Sequence, residues 1–335
     1  MNYMICKWIG KENNAAVKAT EDINKIFREL SINNKVVNIW KHNIKYIRNI
    51  EHYFIYLTLK FKLTRKDNVL IQYPLYCIPP VNYKKYLKLP HKQLIAYIQD
   101  IESYRYSPKN FKKLEKEIKI LNNFDIIIAH NESMIKFLKE RGVNANFIDW
   151  EICDYLIPEP KTRSRSDDIY SICYVGDIER SDFLRKETNN LKINLNLYGK
   201  LDDKSLLRNN LIYRGVYNPN KNNNLDSDFG LIWEGSSIDT CDGIFGNYMT
   251  INNPNRLSLY LANNMPIIIW RKAALSSFVV KNKLGFAIDS LSEIEKILNE
   301  MSKDEYEEIF NNTKIIGEKI RTGYYTKKVI KSICE

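Results

Sequence analysis

Residues 229–270 read FGLIWEGSSIDTCDGIFGNYMTINNPNRLSLYLANNMPIIIW. The order is strand, glycine-studded loop, helix start, short helix and strand, the unit from which parallel α/β sheets are built. Within it, Asn253-Pro254-Asn255-Arg256 is an unusual way to open a helix. Asn is a strong N-cap and Pro is favoured at the first helical position, so Arg256 is expected in the first turn. A cation there opposes the helix dipole by roughly 0.3–1 kcal/mol. A bound anion removes the conflict, because first-turn N–H groups and a guanidinium can grip the same phosphate. The competing reading turns Arg256 to solvent or pairs it with a carboxylate.

The same alternation extends in both directions. Strands are expected near Tyr3–Ile9, Lys35–Trp40, Val69–Tyr73, Gln93–Gln99, Asp125–His130 and Asn146–Asp149, and again at Tyr170–Val175, Ile193–Tyr198, Leu211–Arg214 and Phe229–Trp233. Four of the later strands close on a glycine (Gly176, Gly199, Gly215, Gly235), which lets the backbone turn sharply at the carboxyl edge where open α/β sheets hold ligands. Ile47, Ile50, Phe54, Leu57 and Phe61 recur at intervals of three and four and form one apolar helix face. Asn131 can cap a helix that stops at Gly142. Ser290–Glu293 and Ser302–Glu305 have the form of capping boxes. Periodicity vanishes over Pro158–Asp168, the expected linker between an amino-terminal domain (1–157) and a carboxyl-terminal domain (169–318). A last helical segment, 319–335, is a candidate to return to the first domain. A cleft between two such domains would be the natural ligand site.

Composition bounds the function. The chain has 335 residues, 44% apolar and 27% charged, which is globular and long enough for two domains. No apolar run approaches the ~18 residues of a membrane span, and the N-terminus does not resemble a secretory signal, so a cytoplasmic location is expected, with the inner membrane face as a variant. The six cysteines lie at least 20 positions apart, against a zinc site or a disulfide framework. The net charge is +11, with positive clusters at 41–66 (seven Lys/Arg against Glu51) and 109–119 (five Lys against two Glu). Nucleic acid, an anionic membrane or an anionic small molecule would each suit such charge. No nucleic-acid module or stacking platform is evident, which disfavours the first.

Several side chains stand where chemistry is expected. Arg180, after the strand that ends at Gly176, is a second cation beside a strand-to-helix junction, the helix there being capped by Ser181. Neither junction is a GxxxxGK[ST] or GxGxxG loop. Asp100 and Glu102 follow an apolar strand, and either could act as general base on an acceptor hydroxyl; the alternative is a carboxylate pair holding Arg105. His130 ends another strand. Asn14 lies in a small polar turn after the first strand. Asp226-Ser227-Asp228 spells a metal-binding DxD, but its polar surroundings suit a solvated loop better.

NAAVKATEDI (14–23), IQYP (71–74), QDIESYR (99–105), FDIIIAHNESMIKFL (124–138), YVGDIERSDFL (174–184) and the opening stretch together resemble bacterial two-domain glycosyltransferases of the GT-B fold. The resemblance is to the glucosyltransferases that extend O-linked GlcNAc on serine-rich repeat adhesins and to related β-1,6-galactofuranosyltransferases. It implies two Rossmann-like lobes facing a cleft and a UDP-sugar donor in the carboxyl-terminal lobe, with no metal or other cofactor. Arg180 and Arg256 would meet the diphosphate, with Tyr213 and residues Asn253, Asn255, Leu257 and Ser258 completing the pocket and Asn14 reaching across. The acceptor, a glycan or glycosylated protein, would enter from the amino-terminal lobe with Asp100 as base and Glu102 beside it. A homo-oligomer is also implied; apart from the resemblance, the basic stretch 41–66 is a candidate for peripheral membrane contact. Two departures stand out: Gln99 occupies a position where the family has His, and Asn255-Arg256 replaces His-Lys. The function expected is inverting, metal-independent hexose transfer. The alternatives are a non-catalytic GT-B-like partner of another transferase, or a nucleic-acid-binding protein.

Overall fold

The computed structural model describes residues 1–7, 15–39, 45–75, 84–160, 170–185, 194–203, 205, 207, 210–218, 225 and 227–334. Asn14, Asp226 and most of the expected linker lie outside them. Two compact units divide the chain, one formed by Met1–Ile152 with Tyr325–Glu335 and the other by Cys153–Tyr324.

The first unit holds a six-stranded, wholly parallel sheet. Its strands are β1 (Asn2–Lys7), β2 (Asn34–Ile39), β3 (Asn68–Tyr73), β4 (Gln93–Ile98), β5 (Ile126–Ala129) and β6 (Asn146–Asp149), in the order β2-β1-β3-β4-β5-β6. β3 and β5 are buried along their whole length, as continuous apolar runs covered on both faces should be. Around them lie α1 (Ala15–Leu30), α2 (Lys45–Lys62), α3 (Glu102–Tyr106), α4 (Phe111–Leu121) and α5 (Glu132–Lys139). Asn131 caps α5 by accepting from the Met134 N–H at 2.9 Å, and Gly142 follows with φ +83°. Across the amino edge, Asn34, Asn2 and Asn68 bond side chain to side chain, linking β2, β1 and β3.

The apolar stripe of α2 faces outward: Ile47, Ile50, Phe54 and Phe61 are 40–85% exposed, while His52, Leu59 and Leu63 form the buried line. Two apolar or half-apolar faces compete on this helix, and Tyr86, which donates to the His52 carbonyl at 3.1 Å, anchors the other one.

The second unit repeats the design with β7 (Ser171–Val175), β8 (Asn194–Tyr198), β9 (Leu211–Gly215), β10 (Phe229–Ile232), β11 (Ile267–Trp270) and β12 (Gly285–Ile288), again all parallel, in the order β12-β11-β10-β7-β8-β9. The helices are α6 (Gly243–Tyr248), α7 (Asn255–Ala262), α8 (Ser276–Lys281), α9 (Glu293–Glu300) and α10 (Lys303–Arg321); α11 (Tyr324–Cys334) follows, and from Tyr325 on it belongs to the first unit. β12 escapes sequence reading because it is short and opens on Gly285, whose φ of +146° and 1.9 Å approach to the Ile267 carbonyl admit no side chain.

Three caps differ from expectation. Pro254, not Asn253, holds the cap position of α7, so Arg256 is its second residue. Ser181 opens no α-helix; short 3₁₀ turns lie on either side of it. The hydroxyl of Ser290 turns to the Ile238 carbonyl, while Glu293 still accepts from the Ser290 N–H at 2.8 Å. Ser302 caps α10 as expected.

Tyr260 fastens α7 to the sheet. It is fully buried, its hydroxyl accepts from the Val175 N–H at 2.8 Å, and its ring lies so close to Gly230 that a Cβ there would stand 2.3 Å from ring atoms. Gly230→Ala is therefore expected to lower stability by about 1–3 kcal/mol or more through overpacking. Tyr260→Phe, which strands the Val175 N–H, should cost about 1–3 kcal/mol. Urea unfolding midpoints of the two variants check both.

Candidate active site

The strand order of the second sheet reverses between β7 and β10, so their carboxyl ends form the topological switch point where doubly wound sheets bind ligands. The side chains gathered there come from three segments. Tyr174, near the end of β7, is 1% exposed. Glu234 follows β10, and Arg256 projects from the first turn of α7.

Arg256 lies four residues before Tyr260 and so on the same helix face, which turns it toward the sheet edge and away from bulk water. Its guanidinium carbon sits 4.7 Å from the Tyr174 ring centroid. One of its Nη groups pairs with the Glu234 carboxylate and the other donates to the Trp233 carbonyl at 3.4 Å. The side chain is only 16% exposed. Burial works against the charge, but Glu234 and then the neighbouring tyrosines hold its pKa above the ordinary value. Burial also pushes the Tyr174 hydroxyl up to about 12, with Arg256 pulling the other way. The conflict between this cation and the helix dipole is thus met within the unit by a carboxylate. Stacking and two hydrogen bonds still leave donors on a guanidinium that has five N–H groups.

Ser181, 2% exposed, connects this group to Arg180. It donates to the Asp177 carbonyl at 2.8 Å and lies 2.7 Å from the Tyr174 hydroxyl. The Asp177 carboxylate in turn meets Arg180 Nε at 3.0 Å, with the Arg180 side chain 71% exposed. The two arginines are therefore joined through Tyr174, Ser181 and Asp177, one fixed and one solvated.

The remaining expected residues of this unit have mixed positions. Tyr213 donates to the Gly199 carbonyl at 3.1 Å, and a Cβ on Gly199 would stand 1.9 Å from the Gly176 carbonyl, so the three close-packed turns need that glycine. Asn253 is buried at the entry to α7 and Asn255 is half-buried. Leu257 points into the core, and Ser258 donates to the Cys153 carbonyl at 2.6 Å. The side chains of Tyr213, Leu257 and Ser258 are engaged inside the unit.

In the first unit the carboxyl ends of β4 and β5 bring together Asp100, Glu102, Arg105 and His130. Asp100 is ion-paired with Arg105. Glu102 opens α3 from an exposed position, and burial of its carboxyl group, then Glu117 and Asp100, raise its pKa. The amide nitrogen of the neighbouring Gln99 is buried without a hydrogen-bond partner among the described residues. His130 is 3% exposed, and burial pushes its pKa down to about 4 against the pull of Asp100. It is neutral at pH 7.

Two contributors escaped sequence reading. Glu117, from the middle of α4, accepts from the N–H groups of Glu102 and Ser103 at 3.1 and 2.8 Å and from Tyr73 at 2.9 Å, and so caps α3 from outside. Glu234 neutralises Arg256. Each lies 14 or more residues from its partners, and no local pattern signals either.

Comparison with known proteins adds the family context. The description "glucosyltransferase 3-like, N-terminal domain" matches residues 2–152, and "glucosyltransferase 3-like, C-terminal domain" matches residues 172–333. The chain is 36% identical over 217 residues to the β-1,6-galactofuranosyltransferase WbbI of Escherichia coli K12, covering 63% of this chain and 64% of that protein. It is 21% identical to glucosyltransferase 3 of Streptococcus parasanguinis, covering 74% of each. Among solved structures, sucrose-phosphate synthase of Thermosynechococcus elongatus superposes with a TM-score of 0.64 at 11% identity, covering 99% of this chain and 98% of that one. Likeness at that identity bears on the fold, which is GT-B.

His130 supplies a pH test. The unfolded side chain titrates near 6.5, the folded one near 4. Between those values only the unfolded chain takes the proton, so stability should fall as pH drops from about 6.5 to about 4, by up to about 3 kcal/mol, and then level off for this group. Denaturation across that range should show a shallower slope for His130→Gln than for the parent chain.

Proposed function

The chain belongs to the glucosyltransferase 3-like family, and from that premise we propose that it moves a hexose from a UDP-sugar to a hydroxyl of a glycan or glycosylated protein, with inversion and without a metal. The observation that carries this reading is the guanidinium of Arg256, stacked on Tyr174 beside the first turn of α7 at the switch point of the second sheet. Transfer places negative charge on the departing UDP, and a fixed cation beside helix N–H groups stabilises it with little reorganisation. Glu234 holds the fork in place before the donor arrives. Arg180, solvated and, among the described residues, tied to Asp177 alone, is free to swing onto the outer phosphate.

In the amino-terminal unit Asp100 is the proposed base, oriented by Arg105, with Glu102 the second candidate because its raised pKa suits proton acceptance. Gln99 offers an acceptor oxygen its amide nitrogen, which has no partner among the described residues. The streptococcal relatives are named glucosyltransferases and the E. coli relative a galactofuranosyltransferase, so glucose and galactofuranose are the donors to test first.

Incubation with UDP-glucose or UDP-galactofuranose and simple glycosides, with UDP release as readout, tests the activity. Arg256→Ala should weaken UDP binding about 10- to 100-fold, the loss of charge-assisted hydrogen bonds, with Arg256→Lys in between because it keeps the charge but not the fork. Arg180→Ala should have a smaller effect. If calorimetry finds UDP affinity unchanged in both alanine variants, the diphosphate site is misplaced. Asp100→Asn should lower kcat about 10²- to 10⁴-fold with UDP affinity intact; the same loss in Glu102→Gln alone would transfer the role.

A further inference from the structure

Helix α2 carries two faces, and the fold uses one. Counting about 100° per residue, the buried line of His52, Leu59 and Leu63 lies opposite Ile47, Ile50, Phe54 and Phe61. The latter are 40%, 57%, 62% and 85% exposed, with Tyr53 51% exposed beside them. Four large apolar side chains on one outward stripe exceed the scattered exposure of an ordinary surface. Basic residues border the stripe. Lys60 and Lys62 flank Phe61 on opposite sides of the helix, Arg65 and Lys66 follow, and all four are exposed without an ion-pair partner among the described residues. Lys85 reaches to within 5.6 Å of the Tyr53 ring. Glu51 is the only acidic residue between positions 45 and 66.

We propose that this face of α2 seats on an anionic phospholipid surface, lying in the interface plane with Ile47, Ile50, Phe54 and Phe61 entering the headgroup–acyl boundary and the lysines at headgroup level. An apolar stripe bordered by cations, on a helix held to its unit by the opposite face, has the chemistry of an interfacial helix. No helix among the described residues is long and apolar enough to cross a membrane. Charge selects the bilayer over a second copy of this chain. A twofold contact through this face would set the Lys60 and Lys62 rows against their own equivalents, whereas an anionic leaflet complements them. The inference is independent of the sugar and nucleotide chosen above.

Co-sedimentation of the full chain with phosphatidylglycerol-containing vesicles, and with pure phosphatidylcholine vesicles, tests it. Binding to the anionic vesicles, weakened by salt and far weaker on phosphatidylcholine, is the expected result. The double substitution Phe54→Ser/Phe61→Ser should reduce partitioning about tenfold or more, and Lys60→Glu/Lys62→Glu should act chiefly on the anionic vesicles. Both pairs are exposed, so circular dichroism and UDP affinity should stay at parental values. Absence of vesicle binding by the parent chain, or equal binding by the serine variant, overturns the proposal. So does a parental dimer in sedimentation velocity that the serine variant converts to monomer without any vesicle binding, since the face would then be a contact between copies.

Discussion

The seat of Tyr260 against Gly230 is the constraint on which the candidate nucleotide site depends. A glycine in the middle of β10 removes the one Cβ that would keep α7 away, and the tyrosine ring fills the space. Its hydroxyl then closes on the Val175 N–H at the end of β7. With the helix bolted at that point across two strands, its rotation is set, and so is the direction of every side chain on the same face. Arg256, one turn earlier, has nowhere to go except over Tyr174.

That placement explains how a cation survives in the first turn of a helix. The charge is accommodated because Glu234 arrives from the adjacent strand end and because an aromatic face lies beneath it. Breaking such a group by removing one partner leaves a nearly buried charge without its counterpart, which costs more than a surface pair ever contributes. The contrast with Arg180 is instructive. That arginine has a carboxylate partner too, but both ends lie in water, so it is available to a ligand rather than to the fold.

The amino-terminal unit manages polarity in a similar way. Glu117 occupies a buried position and yet is satisfied by three groups of the segment it caps and by a tyrosine. The short helix carrying Glu102 and Arg105 thereby acquires a fixed start that its own cap residue, Ile101, cannot supply. His130, buried beneath the same edge, stays neutral. The chemistry expected of Asp100 and Glu102 therefore rests on a platform whose supports come from α4 and β3, distant in the chain.

Much of this was legible in the residues alone. Eleven of the twelve strands could be located, most plainly the apolar runs of β3, β5, β10 and β11, which are buried along their whole length. Asn131 and Ser302 were readable as caps because capping is a contact within four residues. Arg256 was readable as out of place in its helix for the same local reason. What the sequence could not disclose are relations across long chain separations. These include the partner of Arg256, the cap on α3, the engagement of Ser258 and Tyr213 with backbone carbonyls, and which face of α2 turns inward. The last shows the physical reason most clearly. Periodicity reports that a helix has an apolar face, but burial is decided by which face finds a complementary surface, and only the packed structure supplies that surface.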